Sequence, residues 1–437
     1  MKFPQMILDL LDCPGLLRLR DVRMANNQFF AFPAFANSSR YEHSLGVCYL
    51  AGICADHIGL DERAKYELML AGLYHDVGTP PFAHAMEEVL QARFGFDHEL
   101  NLKKLIMGDT GEFDQDFAQI YLGQSLKLKS ICQGKRARKI GIDPHRIANI
   151  VVGDKSEELA ALINGSFMDL DNIDNICRAV SAMGILGHGV NFGDLAVKLA
   201  KSFVLRNGKV LYNSNCFDDI NQWVNMRDVQ YSEIYRSVDD FSYQAMIKKA
   251  IRLFFEKKDG LLVSPKDLWK NTDSEFTQLY LLQHKDSKQL MERVLLCRPY
   301  SCLILLYVRG KGVNKYINEH IRSMEKDVSN YLSSDMGLTR YGDNDLVLAN
   351  FYPDKRHRWI NDDRWTEPES IQIKNPIIEE GAILGFFTPS KVVGYADDKN
   401  GDGRSIHRFD KSKIPALKEL IQGFLPGFEV MENGKEY

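Results

Sequence analysis

Apolar residues recur through the first 260 positions with the three- and four-residue spacing of helices that bury one face. Residues 5–20 are Leu-rich at that period. The stretch RYEHSLGVCYLAGICADHIG (40–59) follows a small polar cluster suited to a cap, and its apolar Leu45, Val47, Leu50, Ala51 and Cys54 predict a mostly buried helix. Asp61 is placed to cap a helix over 62–74, whose apolar run (Leu68, Leu70, Ala71, Leu73) ends on His75 and Asp76. Gly78, Pro80 and Pro81 stop it. Another helix is expected over 83–93, and helical spacing resumes from Ser156 and runs to about 258. Then the period changes. SCLILLYVRGKG (301–312), LVLANFY (346–352), AILGFF (382–387) and VVGYAD (392–397) read as short buried strands, with helices at 313–332 and 413–424. The pattern predicts a mainly α chain: an all-α part over residues 1–300, then a smaller α+β part over 301–437.

The polar residues inside this pattern carry the chemistry. An imidazole and a carboxylate side by side at the end of an apolar helix are costly to bury unpaired, and a metal ion would satisfy both. His43 lies in the first turn of the preceding helix, and Asp169, Asp171 and Asp174 crowd one later segment. These positions are far apart in sequence, so only a helical bundle folding back on itself would assemble them. Two imidazoles with two carboxylates suit Mn, Fe, Co, Ni or Zn, and Mg less well, since it prefers oxygen. Such a set leaves positions open for water and a substrate oxygen, the arrangement of metal-assisted hydrolysis.

RYEHSLGVCYLAG, LAGLYHDVGTPPFAH and FMDLDNIDNICRA, in this order, resemble the HD superfamily of metal-dependent phosphohydrolases. Within it they are most similar to the deoxynucleoside triphosphate triphosphohydrolase branch, which includes bacterial dGTPases and the vertebrate SAM-and-HD-domain dNTPase. The resemblance covers residues 28–99 and 166–179, and it implies an HD-domain helical bundle for the first 300 residues. It implies metal ligands at His43, His75, Asp76 and Asp171, the last chosen over Asp169 and Asp174 by alignment. It implies that Arg40 contacts substrate phosphate, that His84 lies near the phosphates, that His98 and Glu99 supply a proton donor, and that Tyr235 lies near the substrate. The implied reaction is hydrolysis of a (deoxy)nucleoside triphosphate to nucleoside and triphosphate. A phosphomonoesterase or phosphodiesterase acting on another nucleotide or an oligonucleotide, or a non-catalytic nucleotide-binding regulator, are the alternatives. Departures sharpen these: Thr79 stands where many triphosphohydrolases have a histidine, and Asn172, Asn175 and Ala179 replace a basic residue, a tyrosine and an aspartate that seat the nucleotide.

Composition narrows the setting. The net charge of −4 gives no general attraction to nucleic acid or membrane, and no apolar run reaches the length of a membrane span. Eight cysteines without a CxxC pair read as reduced thiols, and a cytoplasmic location is expected. A homo-oligomer is allowed, since the family is commonly oligomeric. The basic run from Lys127 to Lys139 reads as a solvated loop, and DKNGDG (398–403) as a polar hairpin, because Phe409 occupies the position where a calcium loop needs Glu.

Overall fold

The computed structural model describes residues 2–25, 33–107, 135–165, 167–184, 191–231, 237–256, 270–336, 347–357, 370–371, 378–389, 392–394, 405–407 and 414–432. Tyr235, the DKNGDG segment and the start of the basic run (Lys127, Lys129) lie outside these residues. Two compact units interleave along the chain. The first takes Met1–Gln230, Leu261–Gln278 and Asp362–Lys374, and the second takes Tyr231–Gly260, Leu279–Asn361 and Asn375–Tyr437. The chain leaves the first unit at 231, returns at 261, leaves at 279, returns at 362 and leaves for the last time at 375.

The first unit is mainly helical. Helix α1 (Arg40–Ile58) begins at Ser39, whose hydroxyl accepts the Glu42 N–H, and ends at Gly59 with φ 75. Helix α2 (Glu62–Tyr74) begins at Asp61, which accepts the Ala64 N–H. The two pack closely because Gly72 carries no side chain: a Cβ there would lie 3.1 Å from Val47 and 3.2–3.3 Å from the Val47 and Cys48 backbone. Helices α3 (Ala83–Phe94), α4 (His98–Met107), α5 (Pro144–Val151) and α6 (Leu170–Met183) complete the surroundings of the site. Fully buried Glu67 of α2 ties α5 in place, accepting from Arg146 Nη1 at 3.0 Å, the Asp143 N–H at 2.9 Å and Arg63 Nε at 2.9 Å.

Two expectations for this unit fail: the end of the basic run, expected as a solvated loop, is helical over Lys135–Ile140, and a hairpin stands in the region expected to be all helical. Strands β1 (Phe203–Arg206) and β2 (Lys209–Asn213) form an antiparallel hairpin where an all-α region was predicted. The cause is local: Asn207 and Gly208 both take left-handed backbone, φ 51 and 70, the two-residue turn that matches strand twist. The two-residue strand Ser370–Ile371 extends this sheet beside β2. Tyr212 of β2 donates its hydroxyl to the Met168 carbonyl at 2.8 Å, bracing the entry to α6.

The second unit holds helix α7 (Val238–Glu256) and a four-stranded antiparallel sheet. Its strands are β3 (Ser301–Arg309), β4 (Leu348–His357), β5 (Ile378–Thr388) and β6 (Glu429–Glu432), in spatial order β4-β5-β3-β6. Helices α8 (Val313–Met336) and α9 (Ile414–Gly423) share one core with Leu306, Val308, Leu384 and Phe386. Alternation sends Phe387 to the other face, where its ring meets Phe241 of α7. The strand and helix expectations for residues 301–336, 347–352, 382–387 and 414–423 agree with these elements. No helix among the described residues is long and apolar enough to cross a membrane.

Candidate metal centre

Helices α1 and α6, with the end of α2, bring His43, His75 and Asp171 together, with one ligand atom from each lying within 4.8 Å of the others. His43 Nε2 stands 2.8 Å from Asp171 Oδ1 and 3.2 Å from His75 Nε2, and His75 Nε2 is 3.7 Å from the same carboxylate oxygen. The two rings meet edge to face at 79°.

The partners behind these rings fix which nitrogens face inward. His75 Nδ1 lies 2.8 Å from the Gly72 carbonyl, an acceptor only, so Nδ1 carries the proton and Nε2 keeps its lone pair. His43 Nδ1 lies 2.8 Å from Asp174 Oδ2, which likewise takes the Nδ1 proton. A carboxylate behind one imidazole and a carbonyl behind the other is the support that metal-bound histidines use. Asp174 is held in turn by Arg178, at 2.9 Å through both Nε and Nη2. Gly46 makes room for it, since a Cβ there would fall 1.8 Å from Asp174 Oδ1.

Asp76 completes the surroundings from the turn after α2. Its Oδ1 accepts from Arg40 Nη1 at 2.7 Å and from Thr79 Oγ1 at 3.0 Å. Its Oδ2 is buried with no hydrogen-bond partner among the described residues and lies 3.5 Å from His75 Nε2. The two imidazole nitrogens and the Asp171 oxygen form a group that could hold a cation, and the orphaned Asp76 Oδ2 stands beside it, outside the three that converge most closely. The residues present therefore fit a divalent ion. The neighbouring carboxylates favour positive charge here: burial would push His43 down, but hydrogen bonds to Asp171 and Asp174 outweigh it and raise its pKa to about 10, and an ion would take the place of the Nε2 proton. Burial would raise Asp76, yet Arg40, His75 and His43 together hold it well below the usual carboxylate range. The Asp171 side chain, 36% exposed against 1–8% for the two histidines and Asp76, opens the group to solvent.

The other predicted residues separate. His98 and His84 share Glu87: His98 Nδ1 pairs with Oε1, His84 Nδ1 lies 3.3 Å from Oε2, and Oε1 also accepts the His98 N–H. Glu87 had no role in the sequence reading, although its place one helical turn after His84 is the signal that shows it. Burial disfavours a charge on His98, but Glu87 outweighs this and raises its pKa above the ordinary value; the charge of His98 is in turn felt at Asp76. Glu99 turns to Asn164, which donates to it at 3.1 Å. Arg40 is nearly buried and bonded to Asp76. Asp169 caps α6, accepting the Asn172 N–H and side-chain amide and the Gly165 N–H.

The chain matches the HD domain family over residues 40–124. It is similar to the deoxynucleoside triphosphate triphosphohydrolase SAMHD1 homolog of Dictyostelium discoideum, 36% identical over 154 residues, covering 32% of this chain and 28% of that protein. Human deoxynucleoside triphosphate triphosphohydrolase SAMHD1 is 35% identical over 89 residues, covering 19% of this chain and 14% of that protein. The matched stretch thus spans less than a third of these relatives. The fold is also that of a hypothetical protein from Aquifex aeolicus, with TM-score 0.61, 16% identity and 96% of each chain covered.

Proposed function

We propose that this protein is a metal-dependent phosphohydrolase acting on nucleotides, and that it converts a (deoxy)nucleoside triphosphate to nucleoside and triphosphate. The observation that carries this is the convergence of His43 Nε2, His75 Nε2 and Asp171 Oδ1, with the orphaned Asp76 Oδ2 3.5 Å from His75 Nε2. The similarity of residues 40–124 to HD domains, and of part of the chain to named triphosphohydrolases, supports it. His43, His75, Asp76 and Asp171 would hold the ion, which when bound supplies Lewis acidity toward a phosphoryl oxygen and lowers the pKa of water.

The chain's own groups have separate tasks in this reading. Arg40 holds Asp76 Oδ1 so that Oδ2 stays inward. His98, whose pKa Glu87 raises through Nδ1, has Nε2 left to give a proton. Water adds at the α-phosphorus, the bond to the 5′ oxygen breaks, and that oxygen takes the proton. His84, with its side chain 80% exposed, offers a second imidazole to the phosphates. The partner is a nucleotide and the setting is cytoplasmic in this proposal. A second reading, hydrolysis of a different nucleotide phosphoester, is favoured by Asn172, whose amide is spent on Asp169 at the position of the relatives' basic residue.

The test is a panel of dNTPs, NTPs, monophosphates, cyclic nucleotides and short oligonucleotides with Mn²⁺, products separated by chromatography. Intact triphosphate is the expected product, lost in Asp76→Ala. Activity unchanged by that substitution sinks the site. Metal bound without turnover of any substrate points to a binding protein.

A further inference from the structure

The turn that carries Asp76 is bent in a way its sequence resists. Phe82 and Ala83 take consecutive left-handed conformations, φ 56 and 43, where residues with side chains are strained. Such backbone persists only when its surroundings force it. Two side chains from distant parts of the first unit do so. Asp273, nearly buried, accepts the Phe82 N–H through Oδ1 at 2.8 Å and the Arg23 N–H through Oδ2 at 3.0 Å. Arg18, fully buried, donates from Nη2 to the Val77 carbonyl at 3.2 Å and the Thr79 carbonyl at 2.6 Å, and from Nη1 to the Asn271 carbonyl at 2.9 Å. Asp273 is itself set firmly. Thr272 caps its short helix in a reciprocal box with Glu275, and Phe276 of that helix meets the Phe82 ring edge-on.

These contacts grip the backbone between residues 77 and 82 and none is made to a candidate ligand side chain. Asp76 sits at one end of the gripped segment and His84 just beyond the other. We propose that Arg18 and Asp273 are positioning residues of the metal site, clamping the 76–83 turn in its strained form so that Asp76 keeps Oδ2 inward. This rests on the metal-site reading above.

The test is Mn²⁺ binding to the full-length chain, followed by electron paramagnetic resonance and equilibrium dialysis. Asp273→Asn keeps the volume but leaves one acceptor oxygen for two N–H donors. It is expected to weaken Mn²⁺ binding 10- to 100-fold, the usual effect of losing an outer support, and to change the spectrum of the bound ion. Arg18→Met is expected to do the same. Adding Ala83→Gly to Asp273→Asn restores part of the affinity, because glycine takes the left-handed backbone unaided. Wild-type affinity and spectrum in folded Asp273→Asn and Arg18→Met overturn the clamp, as does a double variant no better than Asp273→Asn. If Asp273→Asn does not fold, Arg18→Met alone decides in the same way. A wild-type chain that binds no ion overturns the metal site itself, a failure seen before any variant is made.

Discussion

At the scale of single residues, the candidate site depends on small groups behind the ligands. Gly46 is the clearest case: alanine there meets Asp174 Oδ1 head-on, and Asp174 is what orients His43. Gly46→Ala is therefore expected to lower metal affinity at least about tenfold, measured by metal analysis after dialysis, in a chain that still folds. Glu87 sets a second prediction. Burial would raise its carboxyl, but His84 and His98 outweigh this and hold it below the usual carboxylate range, while His98 is raised. The depressed acid contributes stability above its unfolded pKa of about 4.3 and loses it as pH falls through the folded value; the raised histidine contributes below about 6.5 and loses it as pH rises through its folded value. The pair thus helps most between those limits. In Glu87→Gln the His98 ring titration, followed by NMR, should fall toward about 6.5; an unmoved midpoint contradicts the pairing. His43, His75, Asp76 and Asp171 were all nameable from the sequence because the motifs bracket them. Asp174 was visible only as one of three crowded aspartates, and Gly72 and Glu87 not at all, since their roles lie in which atom they present to an imidazole, and spacing alone does not reveal that.

At the scale of elements, the helix ends were legible and one hairpin was missed. Ser39, Asp61 and Gly59 mark boundaries because their side chains, or the lack of one, answer the unpaired groups of a helix end. The hairpin at 203–213 carried its own signal in Asn207–Gly208, but a short polar-flanked strand pair is easily absorbed into a helical reading. Packing between elements has a sharper test in Glu67, which has no solvent access and depends on cations from two other places. Arg146→Ala leaves that carboxylate with Arg63 and the Asp143 N–H only. A loss of about 3 kcal/mol in urea unfolding is expected, the low end for breaking a buried ion pair. A change within about 0.5 kcal/mol would class the network as an ordinary surface contact.

At the scale of the whole molecule, the change from helical to strand pattern near 301 is real, yet it does not mark where one unit stops. Helix α7 lies before it and packs within the later unit, through Phe241 on Phe387 and the Asn350 amide on the Phe241 carbonyl. Periodicity tells a helix from a strand; it says nothing of which sheet a helix will cover. A fragment of residues 1–300 leaves α7 without that sheet and is expected to be poorly soluble, with α7 unprotected in amide exchange. A soluble fragment with α7 protected would show that the helix has other support.

The clamp from Asp273 to Phe82 joins positions 191 residues apart. During synthesis the Asp76 turn therefore has to wait, with its strained backbone unseated, until residue 273 has left the ribosome. Before that, all of α7 has emerged, with Phe241 still lacking the strands, which begin at 301, that it packs on. The growing chain thus exposes the apolar face of α7 while the candidate site is unfinished, the ordering of long-range contacts that slows folding and favours aggregation on the way.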